Sequence, residues 1–320
     1  MPLDRALLDR HRGFDDLEAG ISETFMSAEV GSVPAVAILY RPLGRSRPQG
    51  WVVCHSFGME QTFLMEHEVS AARALAKAGF PTLRYHGQGY GDSQGDPHQV
   101  GLASHLADAA DAVSVLRAET GVERVGMLGA RFGGTVAALV ADREALPLLA
   151  AWEPVTRGLP YMRELLRSHD LFEMLQGPHG TDAASAPDPL GRLTSQGWTD
   201  VKGLYLTEEA YRAIGEIDLR RDLRRFRGSC LLVGVSRAGV PGQGIRAVAE
   251  RLRSLGANCQ EEGVADEEAG NFGGYHYDND EDPNAKRDVQ AALASKLSHA
   301  TVEWALRVAS EGDEEGEAAR

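Results

Sequence analysis

The chain has 320 residues, 43% of them hydrophobic and 25% charged, with a formal net charge of -14. This is the composition of a globular chain with enough apolar content for a large core. The acidic balance argues against a nucleic-acid partner, because phosphate binding needs a basic surface. No charged-then-apolar leader and no apolar run of about 18 residues is present, so neither export nor a membrane partner is expected.

Cys54, Cys230 and Cys259 are an odd number without metal-type spacing. Two of them sit in apolar runs, so reduced thiols in a cytoplasmic protein are expected, with no metal site and no cofactor.

In chain order, residues 35–41 and 51–55 read as strands and 66–78 as an amphipathic helix. Residues 81–85 are a strand again, followed by the glycine-rich turn Gly87-Gln88-Gly89-Tyr90-Gly91-Asp92-Ser93. That turn is not a phosphate loop, since no lysine follows the glycines. Next come a helix (102–119), a strand (124–128), a helix (132–142) and a strand (146–152). Short apolar strands separated by helices predict a mostly parallel sheet with helices on both faces. In such sheets ligands bind beyond the carboxyl ends of the strands. His55, His86, Arg131 and Glu153 each stand at or just past such an end.

After Pro154 the alternation breaks for about 70 residues. A helix over 159–175, a loop over 177–196 rich in Gly, Pro, Ser, Ala and Asp, and a helix over 207–214 are expected there. The pattern resumes with a strand (229–235), a helix (244–255), a weak strand (259–264) and a final helix (284–307). The predicted organisation is a core of 1–154 and 227–310, a helical lid of 155–226 without strands of its own, and a disordered acidic tail of 311–320.

The order of motifs resembles the α/β-hydrolase superfamily over nearly the whole chain. More narrowly it is similar to the serine-aminopeptidase-like branch and the exosortase-associated hydrolases within it. The motifs are His55-Ser56-Phe57-Gly58-Met59-Glu60, Gly79-Phe80-Pro81-Thr82-Leu83-Arg84-Tyr85-His86, Gly89-Tyr90-Gly91-Asp92-Ser93, Gly129-Ala130-Arg131-Phe132-Gly133-Gly134 and Trp152-Glu153-Pro154-Val155. The fourth matches the strand–turn–helix nucleophile elbow, G-x-S-x-G, with Arg131 in the serine position. An arginine stays protonated and cannot attack a carbonyl.

The resemblance implies oxyanion-hole amides near Ser56 or Phe57 and at Phe132. It implies a catalytic acid after the seventh strand, where Ser236-Arg237-Ala238-Gly239 offers no carboxylate, so Glu153 is the substitute. It implies a catalytic histidine after the eighth strand, where His276 is the candidate. Ordinary acyl-serine hydrolysis, which needs nucleophile and base hydrogen-bonded together, is not expected.

Two readings of Arg131 stay open. It anchors an anion together with the oxyanion amides and the helix N-terminus, or it pairs internally with Glu153, Asp92 or Glu60 and plugs the site. His86 is an acid/base candidate or a hydrogen-bonded loop histidine. His55 orients the oxyanion loop or fills it.

Three functions follow. The first is an enzyme acting on a small anionic or acyl substrate by non-covalent acid/base chemistry (lyase, isomerase, cyclase or water-activating hydrolase). The second is an inactive homologue serving as a ligand-binding or scaffold protein. The third is an esterase or thioesterase with a displaced nucleophile, Ser56 or Cys54. The composition allows a homodimer.

Overall fold

The computed structural model describes residues 12–176, 188–266, 272 and 283–318. Eleven strands are found among them: β1 (Gly13–Asp16), β2 (Ile21–Val30), β3 (Val33–Pro42), β4 (Gln49–Cys54), β5 (Thr82–Tyr85), β6 (Arg124–Ala130), β7 (Leu148–Trp152), β8 (Trp198–Val201), β9 (Leu204–Thr207), β10 (Ser229–Ser236) and β11 (Asn258–Ala265). The helices are α1 (Glu60–Lys77), α2 (Leu102–Thr120), α3 (Arg131–Arg143), α4 (Gly158–Gln176), α5 (Pro189–Gln196), α6 (Glu208–Gly215), α7 (Leu219–Asp222), α8 (Gln243–Ser254) and α9 (Pro283–Ala318).

Nine strands form one sheet in the order β1-β2-β3-β5-β4-β6-β7-β10-β11. The pairs from β1 to β5 are antiparallel, and from β5 onward every pair is parallel. The central strands are apolar on both faces because helices cover both: β4 and β7 are buried along their whole length. Side chains alternate across β4, so Val52 and Cys54 join the core under α2, α3 and α8, while Trp51 and Val53 join the core under α1 and α9. Trp51 lies across Gly126 of the neighbouring strand and meets Trp304 of α9 edge to face at 5.8 Å. The Trp152 indole N–H donates to Thr301 Oγ1 at 2.9 Å, a second tie of α9 to the sheet.

The predicted alternation is found, with four differences. β1 and β2 had no counterpart in the sequence reading. The period of β2 is obscured by Glu23, which is buried because Arg73 of α1 pairs with it. The segment 155–226 is not purely helical: β8 and β9 form a hairpin across Lys202-Gly203, both at positive φ (54° and 83°). That is the two-residue turn whose twist matches antiparallel strands. Within the expected loop 177–196, residues 188–196 are described, and Pro189–Gln196 is a helix. Asp188 caps its start by accepting the Gly191 N–H, and left-handed Gly197 ends it. Finally, α9 carries helical backbone to Ala318, through most of the tail expected to be disordered.

The excursion leaves and returns at one place. Gly158 N–H donates to the Ile217 carbonyl at 2.8 Å and Leu219 N–H to the Thr156 carbonyl at 3.1 Å. The two ends therefore run side by side, which sets α4 beside the carboxyl ends of β6 and β7.

A methyl group at Gly126 would stand 2.7 Å from the Trp51 ring, and that ring is fully buried. Gly126→Ala is therefore expected to lower the unfolding free energy by about 2 kcal/mol in urea denaturation. An unchanged midpoint would show that Trp51 has room to move.

Candidate active site

Strand β6 meets helix α3 in a crossing too close for side chains. A Cβ on Gly129 would stand 2.3 Å from the Gly133 carbonyl, and one on Gly133 would stand 2.3 Å from the Cys54 carbonyl oxygen. The turn between them puts Arg131 at φ 49°, a left-handed conformation that costs a non-glycine residue on the order of 1 kcal/mol. Ala130, at the N-cap of α3, has no side chain to satisfy the first-turn amides. Ser56 does this from the neighbouring strand end: its Oγ accepts the Gly133 N–H at 3.2 Å and donates to the Ala130 carbonyl at 2.7 Å. Ser56 is fully buried and both of these bonds are structural.

Arg131 has an internal partner. Its Nε–H donates to Glu60 Oε1 at 2.9 Å, and the Tyr161 hydroxyl donates to Glu60 Oε2 at 3.0 Å. Glu164 Oε2 lies 3.9 Å from the far guanidinium nitrogen. The Glu60 side chain is 4% exposed and that of Arg131 20%. Burial alone would weaken the Arg131 charge, but the charge and hydrogen bond of Glu60 more than offset it, and the guanidinium is held more firmly protonated than usual. Glu60 opens α1, where a carboxylate also suits the helix dipole. Tyr161 belongs to α4 and stacks on Phe132 at 5.9 Å, so this cluster joins sheet, α1 and excursion.

Of the three carboxylates named as partners from sequence, Glu60 is therefore the one in contact. Glu153 also sits at positive φ (42°), but its Oε2 accepts the Val235 N–H of β10 at 2.8 Å. Burial pushes its carboxyl up, against the opposing pull of that N–H and of the Arg131 charge. No ion pair joins Asp92 to Arg131 among the described residues.

The histidines separate. His55 is buried with both ring nitrogens engaged by main chain: Nδ1 lies 2.9 Å from the Ser56 carbonyl, and Nε2 accepts the Gly87 N–H at 3.1 Å. Those partners place its proton on Nδ1. Burial, and then His105 beside it, hold its pKa well below the ordinary histidine value. His86 has Nε2 3.4 Å from the Arg84 guanidinium, with burial and then Arg84 lowering its pKa. Strand β4 lies between β5 and β6, so at ~4.8 Å per strand the rim positions after β5 and β6 stand about 10 Å apart. His86 thus shares the rim with Arg131, and no hydrogen bond or ring contact joins the two among the described residues. Phe57 is fully buried, its ring 5.5 Å from that of Phe132. His276 lies outside the described residues.

Tyr161, Glu68, His67, Arg84 and His105 were not singled out from sequence. Glu68 projects from the buried face of α1 with Arg84 and the Ser56 N–H as its favourable neighbours, yet neither carboxylate oxygen makes a close hydrogen bond. Burial pushes its pKa up to about 8. Burial likewise pushes His67 and His105 down to about 4. Among the described residues, no group of three or more His, Cys, Asp or Glu is placed to hold a metal ion, and no helix is long and apolar enough to cross a membrane.

Comparison with solved structures places this architecture. The ferulic-acid complex of Est1E from Butyrivibrio proteoclasticus aligns with a TM-score of 0.57 at 18% identity, covering 85% of this chain and 97% of that one. The Pyrococcus furiosus esterase Pf2001 aligns with a TM-score of 0.54 at 14% identity, covering 78% and 83%. This is the α/β-hydrolase fold. No family model matches the sequence, and no curated protein matches it. The hydrolase fold expected from the motifs is thereby shown, with esterases as structural neighbours.

Two predictions follow from the charges. Arg131→Met leaves the Glu60 carboxylate buried without its cation and is expected to cost about 3 kcal/mol in chemical denaturation. The double variant Glu60→Gln with Arg131→Met keeps an acceptor for Tyr161 and should recover most of that loss. Equal losses in the single and double variants would mean the pair is not the stabilising unit.

The second concerns pH. His67 and His105 bind fewer protons folded than unfolded between pH 6.5 and 4, so stability falls as the solution is acidified through that window. Glu68 binds more protons folded than unfolded between its unfolded value and pH 8, so its contribution is lost as pH rises toward 8. A stability maximum near pH 6 to 6.5 is expected, and Glu68→Gln should flatten the slope between pH 6.5 and 8.

Proposed function

We propose that this hydrolase-fold chain binds a small acyl or aromatic molecule non-covalently and does not carry out acyl transfer through serine. The observation that carries this reading is the Arg131–Glu60–Tyr161 cluster: the position matching the nucleophile holds a guanidinium, and its charge is met by a buried carboxylate. Glu60 and Glu164 flank one cation, a balance that favours an acyl or aromatic ligand over a free anion. The ferulic acid bound by Est1E is a small molecule of that aromatic kind. The excursion acts as the cover, since Tyr161 and Glu164 of α4 are what meet Arg131. The likeness of the motifs to the exosortase-associated hydrolases belongs to the same reading. Three free, buried cysteines fit the reducing cytoplasm expected for it.

Neither substitute nucleophile is supported. Ser56 Oγ is spent on Ala130 and Gly133, and burial pushes the Cys54 thiol up to about 12, so almost no thiolate exists near neutral pH. A second reading, acid/base chemistry without a covalent intermediate, is favoured by Glu153. Its carboxyl is raised by burial and feels the Arg131 charge at the same rim.

Fluorophosphonate labelling and p-nitrophenyl ester assays test the main reading. No covalent adduct and no turnover above background are expected, together with saturable quenching of intrinsic fluorescence by the uncharged ethyl ester of ferulic acid. A stoichiometric adduct, or ester hydrolysis abolished by Ser56→Ala or Cys54→Ala, would overturn it. Turnover of a non-ester substrate that disappears in Glu153→Gln would decide for the second reading.

A further inference from the structure

The net charge is -14, yet one stretch runs against it: Arg220-Arg221-Asp222-Leu223-Arg224-Arg225-Phe226-Arg227. It begins within α7 and runs on past it, where the excursion rejoins the core. There the chain borders a groove of about 380 Å³ between the start of α2 and the end of α3. That volume is in the range of small-molecule sites. Leu102 and Leu139, both only partly buried, give the groove an apolar floor with Ile217. Arg143, Arg224 and Arg225 stand exposed at its edge.

The two carboxylates bordering the groove are already committed. Asp142 Oδ1 accepts the N–H groups of Arg224, Arg225 and Phe226 at 2.8, 2.6 and 2.7 Å, which fixes the backbone that presents the arginines. Asp222 accepts the Asp218 N–H at 2.8 Å and pairs with Arg221 at 2.9 Å. Among the described residues, Arg143 and Arg225 have no carboxylate partner, and Arg224 reaches only the Arg221 carbonyl, at 3.5 Å. Three exposed arginines thus line one groove with an apolar floor in a protein otherwise acidic. Guanidinium is weakly hydrated and binds carboxylate or phosphate oxygens in pairs.

We propose that this groove is a binding site for a single-chain anionic amphiphile, its carboxylate or phosphate head on Arg143, Arg224 and Arg225 and its acyl chain over Leu102, Leu139 and Ile217. The site is separate from the Arg131 cluster and goes beyond the reading given for it. Its failure would leave that reading untouched.

Calorimetric titration of the full chain with sodium laurate below its micelle concentration tests this. Saturable binding of one laurate is expected, weakening as ionic strength rises because the cations are exposed. Arg224→Glu with Arg225→Glu, and separately Arg143→Glu, should weaken it about tenfold or more while the melting temperature stays unchanged. Dodecanol, which lacks the charge, and acetate, which lacks the chain, should each bind at least about tenfold more weakly than laurate. A photoactivatable diazirine laurate should label peptides spanning 102–106, 139–143 or 217–225. Dodecyl phosphate binding as well as laurate would show that the groove reads charge and chain rather than one head group. The proposal is overturned if laurate does not saturate, if the arginine variants bind it unchanged, or if the label falls beside Arg131. It is also overturned if the chain binds only anionic vesicles and no monomeric laurate.

Discussion

The tight crossing of β6 and α3 is the constraint on which the site depends. Gly129 and Gly133 bring two backbones within a distance that no Cβ could occupy, and the residue between them must then turn through a left-handed conformation. The same crossing leaves the first amides of α3 pointing at the strand end beside it, where the Ser56 hydroxyl takes one of them. A side chain at position 131 is therefore pushed onto the rim of the sheet whatever its chemistry. With arginine there, a cation stands where water is scarce, and a buried cation needs a carboxylate held in place. Glu60 supplies it, and Tyr161 completes the second oxygen. An arginine at this strained turn thus accounts for one of the contacts that tie the excursion to the core.

Beside that cluster lie two buried imidazoles that stay neutral. His55 spends both ring nitrogens on main chain, and His105 uses Nδ1 to hold the Gly101 carbonyl at 2.7 Å. Four aromatic rings, Tyr85, Tyr90, Phe57 and Phe132, pack against these two imidazoles. In such surroundings a charged imidazole would lose its hydration without gaining a counter-ion, so burial dominates every histidine shift there. Glu68 answers to the same physics with the opposite sign of charge. The rim therefore contains several titratable groups with perturbed proton affinity and few that face one another, which is the signature of a packed polar layer more than of a relay.

How much of this was legible in the sequence depended on whether the cause was local. The elbow could be read because glycines at fixed spacing around a strand–helix junction reflect a local steric demand. The mostly parallel, helix-covered sheet could be read because short apolar runs alternate with helices, whereas the order of its strands, which depends on long-range pairing, could not. The hairpin β8–β9 was missed because Lys202-Gly203 is a weaker turn signal than Asn-Gly or Asp-Gly, and β2 because Glu23 interrupts its alternation. Helix α5 carried readable caps, Asp188 before Pro189 and Gly197 after Gln196, but they sat inside a stretch whose Gly, Pro and Ser content suggested loop. The partners of side chains were the least legible. Glu60 could be named as one of three carboxylates within plausible reach of Arg131, but the choice among them is made by where the α1 N-terminus falls. Glu153 went instead to a β10 amide, and nothing local to Trp152-Glu153-Pro154 could say so.

The arginines of this chain show why residue type alone could not settle the function. Arg131 and Arg225 are the same cation, yet one is paired with a buried carboxylate and the other makes no ion pair among the described residues. Attraction between a guanidinium and an arriving anion is reduced by each carboxylate already beside it, most strongly where solvent screening is weak. At the elbow, in a largely buried setting, Glu60 has already drawn off most of what an anion could gain. At the exposed groove, the nearest carboxylates are bound to backbone amides and to Arg221, so the field of the three arginines is less opposed. The resemblance to hydrolases directs attention to the elbow, whereas the charge balance leaves free cationic capacity at the other end of α3, beyond Asp142.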